Sequence, residues 1–279
     1  MLRRAGVLAM TEIGLAGMSS AAIDKHVPIP YHYQLRELLR AEIATGRWKV
    51  GDQLPTEREL CETFGLSRTT VREAIESLVS EGLLRREKGR GTFVAEPKIL
   101  ESLLGSPIGF TDSMREQGHH VETQVLRLEV IPAPLVVESE LRLGPGDRVI
   151  VMERLRFVLN EPILVVTSYL PEKLCPSLMH EDFSRQSLYH TLQDKYHLKI
   201  ARAKRLMEAV PAAEYETRLL GVRPGAPLML IQSTSYLEDG TPVEYFVARH
   251  RGDRTQFIVE SSTRALTKSA VLPDGEIGI

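Results

Sequence analysis

Over the first third of the chain, apolar positions recur at helical spacing. Leu35, Leu38, Leu39 and Ile43 fall at i, i+3, i+4 and i+8, one face of a helix that Gly46 closes. After a turn at Gly51-Asp52, Thr56-Glu57-Arg58-Glu59 has the form of a capping box. The Thr56 hydroxyl can accept from the Glu59 amide while the Glu59 carboxylate reaches back to Thr56. The helix it starts is short, with Leu60 and Phe64 one turn apart on its inner side and Gly65 at its end. Ser67 is an N-cap for a third helix, whose stripe of Val71, Ala74, Ile75, Leu78 and Val79 runs to Gly82. Leu84-Arg85-Arg86-Glu87, Lys88-Gly89-Arg90-Gly91 and Thr92-Phe93-Val94 then read as strand, tip and strand of a hairpin.

The period changes in the second part of the chain. Residues 95–109 read as an interdomain linker with a short helical turn. Beyond it, 123–130, 148–159, 162–170, 199–210, 227–237 and 242–250 are rich in strand formers, and Asn160-Glu161 and Asp239-Gly240 are turn signals for two hairpins. Between them 135–141, 187–196 and 212–220 read as helices. This predicts an α+β protein: a winged helix-turn-helix followed by a mostly antiparallel sheet with helices.

Composition narrows the class. With 279 residues the chain has room for two cores, and 43% hydrophobic with 26% charged residues is ordinary for a globular protein. No apolar run reaches the length of a membrane helix, which argues against a membrane partner. Cys61 and Cys175 suit a reducing cytoplasm and have no zinc spacing; Cys61 is expected to serve packing. The adjacent pair His119-His120 is a poor metal chelate, so neither metal nor cofactor is expected. The first 27 residues are expected to be a loose extension in which Met10 and Met18 are alternative starts.

The net charge of −2 makes the arginines of 54–94 informative by position rather than number. Arg68, Thr69 and Arg72 share a face beside the apolar stripe of the third helix, and Lys88 and Arg90 sit at the hairpin tip. Helix, helix-turn-helix and hairpin match a winged helix, which puts the third helix in the DNA major groove and its hairpin against phosphates or the minor groove. The plainer reading pairs these arginines with Glu57, Glu73, Glu76 and Glu81 on solvated faces. Arg58, Arg68, Arg72 and Arg90 agreeing with one docking geometry favour DNA. In the second part, Arg154 and Arg156 lie two apart on a strand and so project together, as a clamp for phosphate or carboxylate. Glu244 and His250 likewise share a face. The competing reading pairs the two arginines with Glu153, Glu161 or Glu208 at a solvent-facing surface.

LPTEREL, SRTTVREAI, LVSEGLL and GRGTFV together resemble the DNA-binding domain of the GntR family of bacterial transcription regulators, over residues 30–94. The resemblance implies backbone contacts for Arg58, Ser67 and Thr70, base reading for Arg68 and Arg72, either role for Thr69, and a wing tip of Lys88, Gly89 and Arg90. MREQG, ERLRF, EPI, SYLP, QSLY, EYETRLLGV and DGTPVEYFVARHRGDRTQF resemble, in order and spacing over 108–261, the UTRA effector-binding domain of the HutC branch. There the resemblance implies Arg154 and Arg156 for an anionic group, Thr111 and Ser187 as donors, Glu244 for ligand hydroxyls and Tyr189 as a wall. His250 stands where many relatives have tyrosine, and Val166 where many have a carboxylate.

The domains expected are thus an extension (1–27), a winged helix (28–94), a linker (95–109), an effector-binding and dimerisation domain (110–262) with a chorismate-lyase-like fold, and a tail (263–279). The expected function is a cytoplasmic, homodimeric, ligand-responsive regulator. It would bind double-stranded operator DNA and be released by a small anionic effector such as a phosphorylated sugar or amino sugar, with repression as the family default. Two other readings compete: an enzyme of chorismate-lyase-like fold acting on an anion, and a constitutive DNA-binding protein without effector.

Overall fold

The computed structural model describes residues 22–102 and 109–259. It opens with three helices, α1 (Tyr31–Ala44), α2 (Glu57–Phe64) and α3 (Arg68–Ser80), followed by the hairpin β1 (Leu84–Glu87) and β2 (Gly91–Val94). Each expected start signal is at work. Thr56 accepts from the Glu59 amide while the Glu59 carboxylate accepts from the Thr56 amide at 2.7 Å, and Ser67 accepts from the Thr70 amide at 3.2 Å. Gly65 closes α2 in the left-handed region, φ 63°, where a side chain would be strained. The apolar stripes converge on one core in which Leu35, Leu39, Leu60, Phe64, Val71 and Leu78 are wholly shielded. Each contributes roughly 1.5–3 kcal/mol of burial.

Within the expected N-terminal extension, Ile23 is buried in this same core, and the Gln34 side chain bonds the Asp24 amide and carbonyl. Ile23 and Asp24 are therefore anchored rather than loose; residues 1–21 lie outside the described residues.

The second unit is a six-stranded antiparallel sheet in the order β4-β5-β6-β9-β8-β7. Its strands are β4 (Val121–Pro132), β5 (Arg148–Val158), β6 (Glu161–Pro171), β7 (Arg202–Pro211), β8 (Pro227–Tyr236) and β9 (Pro242–Arg251). Four helices accompany it: α4 (Phe110–Glu116), α5 (Leu135–Leu141), α6 (Leu188–Tyr196) and α7 (Glu214–Leu220). Alternation along β5 sorts its side chains between two faces. Val149 and Leu155 pack with α5 and α7 respectively, whereas Ile150 and Met152 pack with Leu188 and Leu192 of α6. Arg154 and Arg156 follow Ile150 and Met152 in step, on the α6 side.

Three features depart from the expectations. Helix α4 was not anticipated. The β5–β6 turn is Leu159-Asn160, both with positive φ (52° and 61°), one residue earlier than the Asn160-Glu161 signal. Within the segment expected as a linker with a helical turn, Ile99–Ser102 is instead a strand, β3, pairing in parallel with β10 (Thr255–Ile258). Residues 103–108, 260–262 and the expected tail at 263–279 are not among the described residues.

Candidate functional site

Two groups of side chains carry chemistry. The first is the outer face of the three-helix unit. Arg58 and Arg68 are more than four-fifths exposed, and Arg72 and Arg90 are also largely in solvent. Ser67 and Thr69 are exposed beside them, and Thr70 is half-buried with its hydroxyl 2.8 Å from that of Ser67. Lys88 and Gly89 form the exposed tip of the hairpin, where Gly89 adopts φ 74°.

Carboxylates do accompany these arginines: Arg68 to Glu57 at 3.6 Å, Arg72 to Glu76 at 3.1 Å, Arg58 to Glu62 at 3.7 Å, and Arg90 to Glu87. Exposed pairs of this kind contribute about 0–1 kcal/mol and exchange readily for a phosphate. Glu81 and Glu73 are engaged elsewhere, with Arg36 and Arg40 of α1 and with His32. The hairpin is braced against the segment before α2. Gln53 Nε2 donates to the Arg90 carbonyl at 3.0 Å, the Leu54 amide to the Thr92 carbonyl at 2.8 Å, and the Arg90 guanidinium lies 5.6 Å from the Phe93 ring. A cationic tip is thus braced against the segment that precedes α2.

The second group lines a cleft between the sheet and α4 with the start of α6, whose empty space is about 830 Å³ when the open solvent at its mouth is included. All seven ligand residues expected from the sequence meet there: Thr111, Arg154, Arg156, Ser187, Tyr189, Glu244 and His250. The pairing of the two arginines with Glu153, Glu161 or Glu208 does not occur. Arg154 and Arg156 are instead 5% and 4% exposed; Arg154 donates to Ser168 at 3.3 Å and Arg156 to the Thr111 hydroxyl. Both Nε atoms lack a hydrogen-bond partner among the described residues. Ser187 caps α6 and donates to Asp112 at 3.3 Å.

Burial penalises charge throughout this cleft. Desolvation, aided by repulsion from Arg154, pulls the Arg156 guanidinium down to about 9, and burial lowers Arg154 as well. At about 9 the Arg156 guanidinium remains a cation at neutral pH. Opposite them Glu244 is 1% exposed; it accepts from the Tyr189 hydroxyl at 2.7 Å and from Ser235 at 3.4 Å. Desolvation raises its carboxyl above the ordinary value, against the pull of Tyr189 and the Arg154 charge, and raises the Tyr189 phenol well above its own. Two desolvated guanidiniums without an ion pair, facing a hydrogen-bonded carboxylate, suit a ligand with an anionic group at one end and hydroxyl or amino donors at the other.

Sequence reasoning missed Glu101, Phe110, Ser168 and Arg205, which also line the cleft. Ser168 was within reach: it lies two residues from Val166 on the same strand and so faces the same way. Glu101 carried no signal, because its segment has no strand pattern of its own. His119 and His120 lie beside a separate surface cleft with Arg115 and Arg185, and no group of three metal-ligating side chains occurs among the described residues.

Comparison with known proteins bears on both groups. The profile of bacterial regulatory proteins of the gntR family matches residues 32–94, and that of the UTRA domain matches 116–256. The chain is 36% identical over 236 residues to the HTH-type transcriptional repressor NagR of Bacillus subtilis, spanning 85% of this chain and 96% of that protein. It is 31% identical over 216 residues to the mannosyl-D-glycerate transport/metabolism system repressor MngR of Escherichia coli, spanning 77% and 89%. Among solved structures, PhnF from Mycobacterium smegmatis superposes with a TM-score of 0.58 at 28% identity, covering 82% of this chain and 99% of that one.

Proposed function

Because the chain belongs to the GntR family of DNA-binding transcription regulators and carries a UTRA domain, we propose that it is a cytoplasmic, ligand-responsive repressor that binds operator DNA as a dimer and releases it on capturing a small anion. The family and its relatives are regulators of transcription, not enzymes. In this proposal Arg68 and Arg72 read base edges in the major groove, with Thr69 beside them. Arg58, Ser67 and Thr70 hold the backbone, and the tip of Lys88, Gly89 and Arg90 takes phosphate or the adjacent minor groove. Two copies bring two such faces to the half-sites of a pseudo-palindrome.

The observation that carries the effector half is the pair Arg154 and Arg156: buried, unpaired with any carboxylate, and aimed into an open cleft. The two like charges are offset only in part, by Glu244 for Arg154 and by Asp112 and Glu101 for Arg156, and an arriving anion offsets them further. The ligand's anionic group would lie on these guanidiniums with the Thr111 and Ser187 hydroxyls, while Glu244 accepts from hydroxyl or amino groups and Tyr189 walls the space. MngR is named for a system handling a sugar-linked carboxylic acid, which supports a carbohydrate-derived anion. Release then follows by linkage: a ligand that weakens the operator complex binds that complex more weakly than the free protein, by the same factor.

The test is fluorescence anisotropy of labelled DNA from upstream of the gene, at fixed salt, with a panel of phosphorylated sugars, amino sugars and small carboxylates. Tight, competitor-resistant binding abolished by one compound supports the proposal and names the ligand class. Binding that no compound in the panel alters would instead favour a constitutive DNA-binding protein.

A further inference from the structure

The cleft has a resident anion of its own. Glu101 projects from strand β3 into the lining, and its Oε1 lies 2.9 Å from His250 Nδ1. The two atoms are near enough for an ion pair but not aligned as a hydrogen bond, and each lacks a hydrogen-bond partner among the described residues. His250 is 4% exposed and Glu101 nearly as enclosed. Glu101 also helps to sustain the charge of Arg156, so its carboxylate lies within the field of the same cationic end that the two arginines build. A carboxyl group set beside His250 without a formed hydrogen bond, its hydrogen-bonding capacity unspent, can be exchanged for a ligand with better geometry.

What carries this carboxylate matters. Strand β3 lies between the winged helix and the sheet domain and is tied to the latter along its length. The Ile99 amide donates to the Arg254 carbonyl at 2.8 Å, Lys98 Nζ to the Gly252 carbonyl at 2.7 Å, Gln117 to the Leu100 carbonyl at 2.8 Å, and the ladder to β10 continues from there. At its other end the chain enters the winged helix within a few residues, where the Ala95 amide donates to the Leu83 carbonyl at 3.0 Å. Among the described side chains that line the cleft, Glu101 is the one borne by this connecting strand.

Building on the ligand reading of the cleft given above, we propose that Glu101 is a further ligand-site residue that acts as a built-in competitor. Its carboxylate occupies the cationic end beside His250 and Arg156, and the anionic group of the ligand takes its place. Ligand uptake therefore removes the side-chain attachment of β3 to the cleft at Glu101, while the backbone ladder to β10 stays in place. His250 gives the imidazole that makes this attachment.

The experiment uses the full-length protein and inorganic phosphate as the probe, by isothermal titration calorimetry on wild type, Glu101→Gln, Glu101→Asp and Arg156→Ala. Removing the competing charge in Glu101→Gln is expected to tighten phosphate binding about tenfold or more and to lower, in parallel, the phosphate concentration that halves the operator anisotropy. Glu101→Asp keeps the charge and is expected to stay near wild type, which separates competition from a loss of fold. Phosphate binding that is unchanged or weaker in Glu101→Gln, while Arg156→Ala loses it, overturns the competitor role and leaves the anion cleft standing. Absence of phosphate binding in wild type and Glu101→Gln alike overturns the cleft reading, and the competitor with it.

Discussion

Replacing Arg68 by alanine should separate DNA affinity from folding stability. Arg68 is 84% exposed, and the carboxylate paired with it, on Glu57, is 3.6 Å away and also faces Arg86 at 3.3 Å. Losing so exposed a pair costs about 0–1 kcal/mol, and the helix propensity of alanine offsets part of that. The proposed contact of Arg68 with a base is worth about 1–3 kcal/mol at each half-site, roughly a 5- to 150-fold loss of affinity, felt twice by a dimer. The loss should fall on the operator and spare a scrambled duplex of equal length. The salt dependence of non-specific binding should stay as it was, whereas Lys88→Ala should lower the salt slope by about one unit. Anisotropy titrations on both duplexes at several salt concentrations, beside urea unfolding curves, read all of these quantities. An equal loss on operator and scrambled DNA would refute base reading and make Arg68 a phosphate contact, and a stability loss as large as the affinity loss would return it to a structural ion pair.

The remaining predictions concern the second domain and the junction. Burial holds the Glu244 carboxyl above its ordinary 4.5, so its proton stabilises the fold fully below that value and the contribution is lost as pH rises through the higher folded value. Urea midpoints measured from pH 4.5 upward should therefore fall less steeply in Glu244→Gln than in wild type, and equal slopes would contradict the burial argument. Gly82 has φ 78°, and an added Cβ would come within 1.8 Å of the Asp253 carbonyl oxygen. Gly82→Ala should therefore cost at least about 1 kcal/mol of stability and open the 251–254 turn to protease, and a variant with wild-type stability and protection would dismiss this contact. Burial pushes the Cys175 thiol up to about 12, so a thiol reagent at neutral pH should modify the half-buried Cys61 first and reach Cys175 only in denaturant. Fast modification of both thiols in the native protein would rule this out.

Local chemistry made much of this molecule legible. Thr56, Glu59, Ser67 and Gly65 act on their own helices, so their signals needed no tertiary context, and 135–141 was bounded by its own pattern. Strand alternation likewise placed Arg154 with Arg156 and Glu244 with His250 on shared faces, and the sheet then brought the two pairs into one cleft. What escaped depends on partners remote in sequence. Ile99–Ser102 becomes a strand only because Thr255–Ile258 is brought beside it, in a parallel pairing that no local pattern announces. Helix α4 has a short mixed sequence, FTDSMRE, with Met114 as its single fully buried residue, too little for a period to register. The offset turn at Leu159-Asn160 places a leucine at positive φ, where the usual sequence signals expect asparagine, aspartate or glycine. Ile23 joined the core without belonging to any element whose periodicity could have flagged it.

The central claim is that an anion bound by the buried arginines controls the grip of the winged helix on DNA. The direct measurement titrates the preformed operator complex with the compound that releases it, on wild type and Arg156→Ala in parallel. The account predicts release of the wild-type protein and an Arg156→Ala complex that forms with similar affinity yet stays on the operator at the same compound concentrations. Release of both proteins at equal concentrations would contradict it and move the controlling site away from this cleft.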